Sequence, residues 1–325
     1  MKPSEITQAV TTLVAARRLP FIWGPPGVGK SESVHAFCKQ TGRDMIDLRA
    51  VLRDPVDLRG LPKDNGDGTV KWLTPGDLPK TGRGTLFLDE LPNAPESTLN
   101  GLLQLALDRK LGDYTLPDGW DIIAAGNRET DRTGARRLPS ALAARFTHLD
   151  YEIDLNDWTR WAIPNQIKTE IIAFLHFRPG LLHDFDPKQR ATPNPRAWKF
   201  VHDILAQSPP AAIEHGLLAG TVGEGAAAEL VGFMRVFRTL AMPDAILANP
   251  GGIAVPTEPA TLYATCAALA AKANPNNAQA VVTFADRLPT EFGVFLCSTA
   301  LRMVPAIAQT RAMIGWQAAN SAVLI

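Results

Sequence analysis

Two hydrophobic rhythms divide this chain. As far as residue 153, short apolar runs alternate with stretches of helical spacing; from Asn156 onward the spacing is helical throughout. In the first part, Ile6, Val10, Leu13 and Val14 predict a helix over residues 3–17 with Ser4 as its N-cap. Leu19–Trp23, Asp44–Leu48, Thr85–Glu90, Trp120–Ala125 and His148–Ile153 read as strands, and Ser31–Gln40, Pro95–Arg109 and Leu138–Phe146 as helices. In the second of these helices Leu99, Leu102, Leu103, Leu105, Ala106 and Leu107 are the expected buried side. Strands that alternate with helices predict an α/β fold with a mainly parallel sheet covered on both faces.

Residues 54–82 interrupt that rhythm. Asp64-Asn65-Gly66-Asp67-Gly68 is a strong turn signal, followed by a strand over Thr69–Leu73. The segment reads either as a surface hairpin or as an inserted hairpin that touches a partner, with Trp72 near its edge. A second, smaller hairpin is expected over Lys110–Leu116. Beyond Asn156, helices are expected over 157–163, 166–177, 195–207, 211–218, 224–240, 258–272, 277–286, 290–303 and 306–320, with a loop or boundary between 248 and 257. Charge thins out there, since only 13 charged residues fall in positions 208–325. The expected division is therefore an α/β nucleotide-binding domain over 1–155, a helical lid over 156–207 and a further α-helical region over 208–325. That last region is either a self-contained bundle or one that buries surface against something else.

Composition narrows the class. With 46% apolar residues the chain can bury a sizeable core. Its 33 basic and 33 acidic residues balance, which argues against a dedicated nucleic-acid binder. Cys38, Cys266 and Cys297 lie far apart, so no disulfide framework or zinc spacing follows, and a reducing cytoplasmic setting fits. No uncharged apolar run is long enough to predict a membrane span, and the N-terminus lacks the order of a signal peptide.

Gly24-Pro25-Pro26-Gly27-Val28-Gly29-Lys30-Ser31 changes the picture most. It fits the P-loop pattern, preceded by a strand and followed by a helix. Its glycines let the backbone close round phosphates where a Cβ would collide, and the following helix adds its positive N-terminal end. Lys30 would reach the β- and γ-phosphates of ATP, and the Ser31 hydroxyl would ligate Mg²⁺. Asp89 and Glu90, at the end of an apolar strand, supply the other two groups that phosphoryl transfer needs: Asp89 to hold the metal and Glu90 to activate water. Asn127 closes the strand before it and can hold water or the γ-phosphate; taken alone, it reads better as a turn-forming asparagine. Arg136, Arg137, Arg145 and Arg196 are candidates to stabilise transition-state charge, although a solvated surface is the usual fate of any single arginine.

In this order the pieces resemble an AAA+ ATPase, and more narrowly the MoxR-like group, over about residues 1–207. Gly24–Ser31 corresponds to Walker A, Leu86–Glu90 to Walker B and Asn127 to sensor 1. Arg137–Phe146 is similar to the family's L-P-x-A-x-x-x-R-F stretch, which carries the arginine finger to Arg145; Arg136 and Arg137 stay open as alternatives, because Ala144 stands where the family often has Asp. Pro195-Arg196-Ala197 is similar to sensor 2, and the segments 54–82 and 110–119 resemble the group's two hairpins. Arg128 follows Asn127 where the family often has Pro. The resemblance implies a ring, commonly a hexamer, with ATP at each subunit interface. It also implies chaperone-like remodelling of a partner, often one with a von Willebrand factor A domain. A nucleic-acid motor or loader on the same core is the alternative, and a nucleotide-gated scaffold is a third reading that an intact Glu90 disfavours.

Overall fold

The computed structural model describes residues 1–131, 134–240 and 243–321. It divides into two compact units, Met1–Asp154 and Leu155–Ile325.

The first unit runs α1 (Pro3–Ala15), β1 (Leu19–Trp23), α2 (Lys30–Thr41), β2 (Asp44–Arg49), α3 (Pro55–Arg59), β3 (Leu61–Asp64), β4 (Val70–Leu73), β5 (Gly84–Asp89), α4 (Glu96–Asp108), β6 (Lys110–Leu111), β7 (Tyr114–Thr115), β8 (Trp120–Gly126), α5 (Ser140–Ala143) and β9 (Phe146–Asp150). Five strands form one parallel sheet in the order β2-β5-β8-β1-β9. β5 and β8 are nearly continuous apolar runs because both of their faces are covered. On one face Ile22, Phe87, Ile123 and Ala125 pack with Ile6 and Val10 of α1 and with Val34 and Phe37 of α2. On the other, Phe21, Leu86, Leu88, Ile122 and Ala124 pack with Leu99, Leu102 and Leu105 of α4. Each of the buried Val, Leu, Ile and Phe side chains among these contributes about 1.5–3 kcal/mol.

Local chemistry moves several expected boundaries. α1 begins at Pro3, whose missing N–H costs nothing at a helix start. Lys2 precedes the helix and donates its N–H to Glu5 Oε2 at 2.9 Å, so the expected N-cap, Ser4, lies inside the helix. α2 stops at Gly42, which takes the left-handed φ of 62°. Leu107 is 41% exposed, because at about 100° per residue it points away from the stripe of Leu99, Leu102 and Leu105. The expected helix Leu138–Phe146 shrinks to the four residues of α5, and the expected strand His148–Ile153 starts earlier and ends at Asp150. Pairing with β1 takes over Phe146, opposite Leu19, before the helix can extend. The insertion holds α3, for which no helix was expected, and the hairpin β3–β4 with Pro62 opposite Trp72. Gly60 is required there: a Cβ would lie 1.7 Å from the Leu73 carbonyl oxygen.

The second unit is helical: α6 (Leu155–Ala162), α7 (Thr169–Phe177), α8 (Pro195–Ala206), α9 (Ala211–Val222), α10 (Glu224–Thr239), α11 (Pro243–Ala248), α12 (Pro259–Lys272), α13 (Ala278–Ala285), α14 (Thr290–Met303) and α15 (Arg311–Ala319). α11 was not expected, and the span 306–320 divides at Thr310, whose hydroxyl accepts from the Met313 N–H and starts α15. α7 is the centre. Ile171 to Leu175 are all fully buried, and Phe174 meets Trp198 of α8 at 5.6 Å and Phe233 of α10 at 5.7 Å. Tyr263 of α12 meets Phe292 and Phe295 of α14 edge-on. Residues on both sides of position 208 therefore share one core.

His176 of α7 sits in that core, 3.0 Å from the Thr159 hydroxyl. Burial, with a smaller contribution from the nearby Arg302 charge, pulls its pKa down to about 4. The folded state holds it neutral, whereas the unfolded chain protonates it near the ordinary value of 6.5. Its stabilising contribution is thus complete above pH 6.5 and disappears as pH falls towards 4. Chemical denaturation followed by helical circular dichroism should show a loss on the order of 2–3 kcal/mol across that window. His176→Gln should flatten the loss.

Candidate functional site

The parallel sheet places every strand's carboxyl end along one edge, and the glycine-rich loop lies there between β1 and α2. β8 and β9 brace its base: Gly24 N–H donates to the Gly126 carbonyl at 3.2 Å, and Trp23 O accepts from Tyr151 N–H at 2.7 Å. The loop then bends through two left-handed glycines, Gly27 at φ 76° and Gly29 at φ 106°. Side chains would also crowd it from below, since a Cβ on Gly24 would lie 3.0 Å from Tyr151 Cβ and one on Gly29 would lie 3.2 Å from the Tyr151 hydroxyl. α2 begins at Lys30, so its first N–H groups lack intrahelical partners and face the loop.

Lys30 is only 8% exposed. Its ammonium donates to Gly24 O at 2.7 Å, to Pro25 O at 2.9 Å and to Asn127 Oδ1 at 2.8 Å. Asn127 reaches it from the end of β8, beyond Gly126. Beside it, the Ser31 hydroxyl donates to Asp89 Oδ2 at 2.9 Å. The other carboxylate oxygen of Asp89 accepts the Glu90 N–H, also at 2.9 Å. Glu90 takes a left-handed φ of 54°, which turns it out of β5 and leaves it exposed. A non-glycine residue in that region costs about 1–2 kcal/mol.

Lys30, Ser31, Asp89 and Asn127, singled out from sequence, are thus brought together by direct bonds, with Glu90 following Asp89. Gly24, Pro25, Pro26, Gly27, Val28 and Gly29 form the loop itself. Arg136, Arg137 and Arg145 are exposed and make no side-chain hydrogen bond or ion pair with any described residue. Arg196 stands exposed in the first turn of α8, in the second unit. Sequence reasoning missed two supports. Tyr151, just past β9, forms the floor of the loop. Arg128, noted only as a departure from a pattern, pairs with Asp150 at 3.2 Å and donates to the Tyr151 carbonyl at 3.3 Å, tying β8 to β9. Neither carries a local signal, because both depend on which strands become neighbours.

The donor set fits a magnesium triphosphate. A hydroxyl and a carboxylate side by side suit Mg²⁺, which keeps several waters and rarely takes an all-protein cage. No group of three or more His, Cys, Asp or Glu among the described residues is arranged to hold a metal ion. No described helix is long and apolar enough to cross a membrane.

No family model matches the chain. Among solved structures it is similar to NtrX from Brucella abortus, at 15% identity and a TM-score of 0.41, over 87% of this chain and 64% of that one. NtrX in complex with ADP is similar at 14% identity and a TM-score of 0.37, over 99% and 68% of the two chains. A RuvB mutant from Thermotoga maritima is similar at 16% identity and a TM-score of 0.39, over 82% of each chain. The chain thus spans just under two thirds of the first NtrX structure. What the loop binds is decided by its own geometry, not by these likenesses.

Gly126 offers a direct check on that geometry. A Cβ there would lie 2.2 Å from Pro92 Cδ and 2.5 Å from its Cγ, and a proline ring cannot swing aside. Gly126→Ala should cost about 1–3 kcal/mol, read as a lowered thermal midpoint. It should also weaken nucleotide binding measured by calorimetry, since the same residue anchors Gly24 and presents Asn127.

Proposed function

We propose that the first unit binds and hydrolyses ATP with Mg²⁺, and that the protein is an AAA+ machine of the MoxR-like kind that remodels a partner protein. The observation that carries the reading is the paired contact Lys30–Asn127 and Ser31–Asp89, with Glu90 next to it, at the carboxyl edge of a parallel sheet.

The division of labour follows from the residues. The backbone N–H groups from Gly27 to Ser31 grip phosphate oxygens, helped by the positive end of α2. Lys30 exchanges loop carbonyls for phosphate oxygens, so its burial costs little once nucleotide is present. Ser31 and Asp89 would hold the Mg²⁺. When bound, that ion neutralises charge on the phosphate oxygens. Glu90, turned out of the strand, accepts a proton from the attacking water, and Asn127 orients that water or the γ-phosphate. Arg145, exposed and without a side-chain partner among the described residues, is suited to act on a neighbouring subunit's site, with Arg136 and Arg137 as alternatives. For Arg196 the role of γ-phosphate contact rests on the resemblance of Pro195-Arg196-Ala197 alone. The balanced charge of the chain favours a protein partner over nucleic acid. A hexameric ring and a von Willebrand factor A-domain partner are carried by the resemblance.

Glu90→Gln tests the reading. It should keep ATP affinity by calorimetry and lower turnover by about 10²-fold or more; unchanged turnover removes Glu90 from the mechanism. Hydrolysis stimulated by DNA, and falling steeply with salt, would move the assignment to a nucleic-acid motor.

A further inference from the structure

On the sheet face that α5 covers, a chain of contacts runs alongside the nucleotide loop without taking part in it. Phe21 of β1 and His148 of β9 are direct neighbours in the register, and Trp23 stacks on Phe21 at 4.1 Å. The Trp23 Nε1–H donates to His148 Nδ1 at 2.8 Å. On the other side of the ring, His148 Nε2 lies 3.0 Å from the Ala143 carbonyl oxygen. An indole N–H can only donate and a carbonyl can only accept. Both bonds therefore require the neutral imidazole with its proton on Nε2, and no other form of the side chain makes the pair.

Each end of this tie has a consequence. Ala143 is the last residue of α5, a helix too short to satisfy its own final carbonyls, and His148 supplies a donor to one of them. Arg145 follows two residues later, with its N–H bonded to the Leu142 carbonyl at 3.1 Å, so the end of α5 sets the direction in which Arg145 leaves the unit. Trp23 is the residue immediately before Gly24. The ring that bridges them stands on β9, the edge strand of the sheet.

We infer that His148 is a positioning residue that ties the strand carrying a subunit's own nucleotide loop to the helix end that aims Arg145, so that the state of the loop is passed to the arginine offered to the neighbour. This rests on the proposed shared ATP site. Arg145 itself has no side-chain partner among the described residues, which leaves the backbone between α5 and β9 to aim it: Phe146, paired opposite Leu19, holds one side, and the bond from His148 to Ala143 holds the other. Phe21, Trp23 and Leu19 on β1 bring no charge to the ring; Asp150, the next charged residue on its face of β9, is paired with Arg128.

Three substitutions and one mixing experiment test it. His148→Phe keeps an aromatic ring for stacking and loses both bonds. His148→Gln offers an amide oxygen to Trp23 and an amide N–H to Ala143. In full-length protein, His148→Phe should lower kcat for ATP on the order of tenfold or more with KM unchanged, and His148→Gln should restore most of it. Trp23→Phe, which retains stacking and removes the other donor, should repeat the loss and serves if His148→Phe does not fold. Each variant is then co-expressed with Glu90→Gln under a second affinity tag and purified through both tags. Glu90→Gln subunits keep ATP in the loop without turning it over and still offer a correctly aimed arginine, so hydrolysis per His148→Phe subunit should rise towards wild type. Arg145→Ala paired with Glu90→Gln runs alongside. Rescue of the Arg145→Ala pair without rescue of the His148→Phe pair overturns the His148 inference and leaves the shared site standing. Rescue of neither, or no doubly tagged assembly, overturns both. An unchanged kcat in His148→Phe and Trp23→Phe overturns the inference alone.

Discussion

A buried ammonium is the constraint around which the first unit is arranged. Lys30 stands at the N-terminal end of α2, where the helix is itself positive. Cation and helix end repel each other, and taking the ammonium out of water is costly unless oxygen atoms replace the water. Gly24 O, Pro25 O and Asn127 Oδ1 do so. Two of these oxygens belong to the loop, and the third comes from just beyond the end of β8. The arrangement holds a loop folded back on itself, with positive charge concentrated where a polyanion would sit. A triphosphate relieves that repulsion more fully than neutral carbonyls can, which is the physical reason to read the loop as a phosphate grip.

The sheet order makes this possible. β1 lies between β8 and β9, and β5 lies on the far side of β8. Because all five strands run parallel, Gly24, Asp89, Asn127 and Tyr151 arrive at one edge from four separate stretches of sequence. Gly126 must be a glycine for β8 to pass Pro92 and still bond Gly24. The two hairpins bond each other: Trp72 N–H donates to Asp113 Oδ2 at 3.0 Å, linking β4 to the turn between β6 and β7.

Most of the sheet and the centre of the site were legible because their signals are local. The loop is a contiguous motif, and Asp89 closes an apolar run that ends where burial ends. Contacts between strands were not legible. Tyr151 and Arg128 matter because β9 pairs with β1 next to β8, and a single sequence does not state that register. The same pairing shortened α5 and claimed Phe146 for the sheet. Leu107 was misplaced because a run of apolar residues on one helix does not say how wide its buried stripe is. α3 and α11 are short and begin at prolines, so they read as turns.

The tie through His148 belongs to a different energy scale from the core. A hydrogen bond with access to water contributes about 0.5–1.5 kcal/mol, a small share of a domain's stability. The same amount is large when it biases two orientations of one arginine, because each 1.4 kcal/mol changes a population or a rate tenfold. A stronger link, buried and rigid, would hold Arg145 in one place whatever the loop contained. A weaker one would leave it uncoupled. Two exposed bonds from one neutral ring, one of them to a Trp23 that stacks on a fully buried Phe21, lie between those limits. That is where a contact must lie if nucleotide in one subunit is to alter catalysis in the next.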